Sequence, residues 1–140
     1  MSEMDEPRGV RNCNPGNVRL GQPWVGLAPM QTDPEFAQFI DAEHGIRALC
    51  KTLLTYQDTH GLRTLRGMIY RWAPPEDRND TDDYLADVCE RTGFGPDDAI
   101  DLHNPVGLAH MAEAIIAHEC ENYVYPPGLV DAGVSMALAV

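Results

Sequence analysis

Residues 104–121, NPVGLAHMAEAIIAHECE, limit the possible folds more than any other stretch of the chain. Asn104 is a good helix N-cap, and Pro105 suits the first helical position, where its missing N–H leaves no bond unmade. The apolar residues that follow recur at i, i+3 and i+4, the period of an amphipathic helix. At about 100° per residue, with Leu108 at zero, Met111 falls near about 300°, Ala112 about 40°, Ile115 about 340° and Ile116 about 80°. Glu119 falls near about 20°, central to this arc. His110, Glu113 and Glu121 lie opposite, as solvated groups should. A helix that buries Leu108 and Ile115 therefore carries a carboxylate toward the interior or toward a cleft at its edge.

The rest of the chain supplies partners for that helix. Ile46, Leu49, Cys50, Leu53, Leu54 and Gln57 predict a helix over 42–59, with Asp41 as N-cap and Gly61 just past its end. A shorter helix over 64–72 is stopped by Pro74-Pro75. Asp80 or Thr81 caps a third, to about Arg91, with Tyr84, Leu85 and Val88 inward and Gly93 ending it. A final apolar segment over 128–138 restarts after Pro126-Pro127. Residues 11–26, RNCNPGNVRLGQPWVG, are turn chemistry, and Asn17–Leu20 could pair with Phe36–Ile40 as a small sheet. The expected class is mostly α, or α+β with a minimal sheet: a flexible tail over 1–10 and one globular domain over 11–140.

The chain has 140 residues and a formal charge of −12. That balance argues against nucleic acid and against anionic lipid, whose recognition needs Lys and Arg. No apolar run approaches the roughly 20 residues of a membrane helix. The opening MSEMDEPRGVRN is polar and acidic, so no secretory signal is expected. Cys13, Cys50, Cys89 and Cys120 form no CxxC pair, which argues against a zinc ribbon; free thiols are expected, with two long-range disulfides as the alternative, because no signal peptide points to an oxidising compartment. The histidines lack HExxH spacing, so no metal is expected; a site assembled in space from His103, His118 and a carboxylate is the alternative.

The carboxylates carry the chemistry. Burial disfavours a charged Glu119, and the negative end of its helix acts in the same direction, so both favour a proton donor. Glu43 is the contrast, because it lies at a helix N-terminus, where the macrodipole favours the anion. Two carboxyls with opposed preferences suit acid/base chemistry on a glycosidic bond. Glu76 and Asp77, in the loop after Pro75, are further candidates. Trp24, Trp72, Tyr84 and Tyr123 could stack on sugar faces, as could Tyr56 and Tyr125. Asn14, Asn17 and Asn79 could bond acetamido groups. Each of these residues is also an ordinary core, turn or solvated residue when taken alone.

The order of motifs adds a resemblance. RGVRNCNPGNVRLGQPWVGL, QTDPEFAQF, EHGIRALCKTLLTYQDTHGL, IYRWAPPEDRNDTDDY and AIIAHE resemble, in that order, the motifs of a family of small phage and prophage proteins commonly labelled virion structural proteins. The resemblance covers roughly 8–121. Cys13 stands where the family has Asn, and Asp77 and Arg78 are extra residues in the loop. AIIAHEC is also similar to the helix end that carries the acid in lytic transglycosylases. NPGNVRLGQPWVG, FAQF and GIRAL are similar to a segment of bacterial glucosaminidases, in reversed order.

A circularly permuted, lysozyme-like helical domain would reconcile the two similarities, and it would make Glu119 the catalytic acid. The resemblance thus implies a phage-associated peptidoglycan glycosidase, a muramidase or lytic transglycosylase, with Glu43 as second carboxylate, Glu76 or Asp77 behind it, and no cofactor. Peptidoglycan would be its partner, with other virion proteins as further partners. It would sit in the virion, or in the host cytoplasm or periplasm after phage delivery. The alternative is a non-enzymatic virion component or wall-binding module.

Overall fold

A computed structural model describes residues 6–139. It is mostly α. Six helices follow in order: α1 (Arg8–Arg11), α2 (Ala42–Asp58), α3 (Leu65–Trp72), α4 (Thr81–Thr92), α5 (Pro105–Glu119) and α6 (Pro127–Leu138), with a 3-10 turn at Pro75–Asp77.

The starts are chemical. Asp41 accepts from the His44 N–H at 2.9 Å, Thr64 from Gly67 at 3.1 Å, Asp80 from Asp83 at 3.1 Å and Asn104 from Val106 at 3.0 Å. Each satisfies a helix N–H that has no partner within the helix.

Helices α2 and α5 form the centre. Ile46, Leu49, Cys50 and Leu53 of α2, with Leu108, Met111, Ala112 and Ile115 of α5, are fully buried. Each buried Leu, Ile or Met contributes about 1.5–3 kcal/mol relative to exposure. Helix α6 lies along α2, and α4 and α6 flank α5. The contact with α6 is close. A Cβ on Gly133 would meet Ile46 Cγ2 at 2.5 Å.

The other side of α2 is covered by chain rather than helix. The 12–40 segment is pinned by Asn14, fully buried, whose amide donates to the carbonyls of Val18 (2.9 Å) and Ala37 (2.8 Å) and accepts from Val18 N–H (2.9 Å). The backbone at Cys13 presses so near that a Cβ on Gly45 would stand 1.9 Å from its carbonyl oxygen.

The expected pairing of Asn17–Leu20 with Phe36–Ile40 exists only as isolated antiparallel bridges, Arg19 with Phe36 and Leu27 with Phe39. Among the described residues no extended sheet forms, because turns at 20–26 and 29–35 interrupt the pairing.

Part of the stretch expected as a tail over 1–10 is helical, since α1 starts at Arg8. Residues 1–5 lie outside the described residues. Helix α1 buries Gly9 and Val10 against the core, and Arg8 grips Asp33 with two N–H donors at 2.6 and 2.7 Å. Turn-rich sequence on both sides concealed this short helix. The ordered domain therefore begins upstream of residue 11. Cys13, Cys50, Cys89 and Cys120 are free thiols.

Candidate functional site: a groove around Glu119

Glu119 is the last residue of α5 and is half-buried. Asn17 Nδ2 donates to its Oε1 at 2.9 Å, and Tyr84 Oη donates to its Oε2 at 2.8 Å. The turn at 14–17 aims Asn17, which has a left-handed φ of 50°, a conformation Asn tolerates better than most side chains. Tyr84 comes from the buried face of α4. Its phenol is held well above its usual range, first by burial and then by the Glu119 charge and the hydrogen bond to it, so it remains a donor.

A further layer stands behind Tyr84. The His118 ring stacks on it with centroids 3.7 Å apart, and His118 Nδ1 lies 2.7 Å from Asp87 Oδ2. Arg91 Nε reaches both Asp87 oxygens at 3.0 Å, and its guanidinium bonds Asn122. This chain of contacts stitches the ends of α4 and α5 together. Cys120 lies beside Glu119 but offers no nucleophile. Its Sγ points to the Pro15 carbonyl at 3.3 Å, and burial first, then the neighbouring Glu119 and Glu121 charges, push the thiol up to about 12.

Glu119 opens onto a groove of about 310 Å³. Its lining comes from Gly16–Arg19 with Phe36, from Thr52 and Tyr56 of α2, and from Trp72, Ala73, Asp77 and Asn79. The lining thus holds two carboxylates, three aromatic rings and two side-chain amides. That mixture suits a ligand with apolar ring faces and many hydroxyl or amide groups, as a glycan has.

Of the residues singled out in the sequence, Glu119, Asn17, Asn79, Trp72, Tyr56 and Asp77 meet here. Tyr84 adjoins the site from behind: it is 3% exposed and holds Glu119, which leaves it little surface to offer a sugar. Asn14 is consumed in pinning its own loop. Trp24 packs with Ala37, Phe39 and Ala48 in a small separate cluster. Tyr123 lines a different cavity of about 460 Å³ between α4, α5 and the start of α6, edge-on to Tyr125.

The structure also separates the candidates for a second carboxylate. Glu43 occupies the first turn of α2, where its carbonyl faces Gly133 of α6. Thr52, the first α2 residue in the groove, lies nine residues further on, about 14 Å along the axis. Glu76 is exposed on the 3-10 turn and does not line the groove, whereas its neighbour Asp77 does. His103 and His118 are not brought together, since each faces a different acid, Asp58 and Asp87. Among the described residues no group of three or more His, Cys, Asp or Glu side chains is arranged to hold a metal ion.

Arg19, Phe36 and Thr52 had no signal in the sequence as groove residues. Only the pairing of Arg19 with Phe36 across two loops, and the face of α2 away from Gly133, could have indicated them.

No family model matches the chain. Over 91 residues it is 42% identical to Protein P5 of Pseudoalteromonas phage PM2. This chain is similar to a phage protein. The match covers 62% of this chain and 56% of Protein P5, so the chain spans about half the length of that relative. Among the described residues, no helix is long and apolar enough to cross a membrane.

Proposed function

We propose that this is a phage-associated, lysozyme-like protein that takes a strand of bacterial peptidoglycan in the groove and cleaves its glycosidic bond, as a muramidase or lytic transglycosylase. The observation that carries this reading is Glu119, a half-buried carboxyl at the end of a helix, opening onto a groove lined by Trp72, Tyr56 and amide side chains. Glu119 takes up a proton from solvent and passes it to the leaving oxygen, while Asn17 and Tyr84 fix its rotamer. The oxocarbenium-like centre is then resolved by a water held by a second carboxylate or by the sugar's own 6-hydroxyl. Asp77, which shares the groove with Glu119, is the best placed of the three candidates for that carboxylate. The chemistry needs no cofactor. The protein acts from the virion or after delivery by the phage, with peptidoglycan and other virion proteins as its partners.

The test is zymography on purified peptidoglycan with the wild type and Glu119→Gln. Clearing by the first and none by the second, at unchanged circular dichroism, supports the enzyme. No clearing by the wild type on several wall chemistries sinks it.

One observation favours a second reading, a non-enzymatic virion component or wall-binding module. Both Glu119 oxygens are already hydrogen-bonded within the protein, which makes the carboxylate a fastener between the 14–17 turn and α4. Sedimentation of the protein with insoluble peptidoglycan, without release of soluble fragments, would select that reading.

A further inference from the structure

The groove has one cation among its described lining residues, Arg19. In a chain of net charge −12 a cation at that place is selective. Other arginines are committed elsewhere: Arg8 to Asp33 at 2.6 Å, Arg66 to Asp97 at 2.8 Å and Arg91 to Asp87 at 3.0 Å. Arg19 meets Glu35 only at 3.9 Å, between side chains 66% and 54% exposed. Such a contact is screened by water and holds neither group in place.

Arg19 also lies beside an aromatic ring, Phe36, which Arg8 covers more closely at 4.5 Å. The Arg19 guanidinium lies 5.7 Å from the centroid of Phe36, and the antiparallel bridge between these two residues keeps both side chains on one side of the pair. Stacking occupies the flat face of a guanidinium and leaves its edge of N–H donors open. That edge is the fork that takes both oxygens of a carboxylate. The groove's other two charges, Asp77 and Glu119, repel an anion, so the rest of the groove suits neutral sugar.

We propose that Arg19 makes this groove specific for a glycan that bears carboxylates, by bidentate N–H···O bonds from its free edge. The proposal rests on the glycan reading of the groove. Two sources of carboxylate share this chemistry, the lactyl ether on the sugar and a peptide attached to it.

The experiment is equilibrium binding to Glu119→Gln, which arrests turnover, and to the same variant carrying Arg19→Gln. The probes are chitotetraose, a peptide-free N-acetylglucosamine–N-acetylmuramic acid tetrasaccharide, the same tetrasaccharide with amidated lactyl groups, and its peptide-bearing form. A carboxylate-bearing form binds about tenfold tighter than chitotetraose, and Arg19→Gln removes that preference while leaving chitotetraose binding unchanged. If the peptide-free acid shows the preference and its amide does not, the lactyl group is the source; if only the peptide-bearing form shows it, the peptide is. Equal binding of all four probes, or a preference that survives Arg19→Gln, overturns the proposal and leaves the glycan groove standing. No binding of any probe, chitotetraose included, ends both.

Discussion

Tyr84 Oη stands 2.8 Å from Glu119 Oε2, and the tyrosine is one of the most deeply buried residues next to the groove. The bond makes a structural side chain on α4 the setting screw of a carboxyl on α5. Tyr84→Phe keeps the ring and its stacking on His118 but deletes the donor. The expected cost is about 1.5–3 kcal/mol in urea unfolding, the range for a hydrogen bond to a charged group. Peptidoglycan clearing should fall in kcat with little change in KM, because the groove walls are untouched. A variant with wild-type stability and wild-type kcat would show that the bond does not position Glu119.

Asp33 gives the pH dependence. Its carboxylate is held far below the usual range, first by the Arg8 hydrogen bond, then by the N–H groups of Phe36 and Glu35 and the Asn12 amide, all against the opposing effect of burial. A depressed folded pKa means stability that is fully present above the unfolded value, about 3.9. It is lost as pH falls through the folded value. Asp33→Asn should therefore lower the melting temperature at pH 7, and the gap from wild type should shrink as the pH is taken from about 5 toward 2. A gap independent of pH would show that the ion pair contributes nothing specific.

Gly45→Ala tests the loop that aims Asn17. A Cβ there would meet the Cys13 carbonyl at 1.9 Å, a backbone atom that cannot swing aside as a side chain can. Overpacking of this kind costs about 1–3 kcal/mol or more. The displaced 13–17 turn should also weaken glycan binding, although Gly45 does not line the groove. Loss of stability with unchanged binding would show that the turn and the groove wall move independently.

The two tryptophans should separate cleanly. Trp72→Ala is expected to weaken glycan binding about tenfold, from the loss of one stacking face. Trp24→Phe should leave binding unchanged, because Trp24 sits in its own cluster with a buried Nε1 that has no partner among the described residues. Intrinsic fluorescence with each ligand reports both, since Trp72 alone of the two faces the ligand. A response lost with Trp24 instead would put the ligand elsewhere.

Asp77→Asn should reduce clearing strongly, whereas Glu43→Gln and Glu76→Gln should not. The reverse order in a zymogram series would return the second carboxylate to the residues the sequence favoured.

The helices were legible in the sequence because their signals are local. Caps at Asp41, Thr64, Asp80 and Asn104, and the repeat of apolar residues behind them, specify each start and buried face whatever the rest of the chain does. The wheel puts Glu119 at the centre of the apolar arc, whereas the structure has it half-buried at the helix end. What the sequence does not carry is the distance between elements. Nothing in the sequence says that the first turn of α2 faces α6, which removes Glu43 from the site. Glu76 and Asp77 differ by one residue on a 3-10 turn that ends at a left-handed Arg78, and only that geometry turns Asp77 toward the groove. Asn14 and Asn17, equivalent as letters, divide into a loop pin and a ligand of Glu119 because one is buried under Ala37 and the other is not. The helix-wheel picture of Glu119 was also incomplete, since both donors to its carboxyl come from elsewhere in the chain.

The bond between Asn17 and Glu119 joins residues 102 positions apart in the chain. Closing so long a loop costs more entropy than forming a local helix, so this contact is expected to form after the helices. The groove is therefore a checkpoint of completed folding: neither an amino-terminal nor a carboxy-terminal fragment carries it. A ligand seated there clamps the first turn-rich segment to the fifth helix and draws on the free energy of the whole domain. Its occupancy should be readable as a rise in melting temperature of the entire protein, rather than as local protection of one loop.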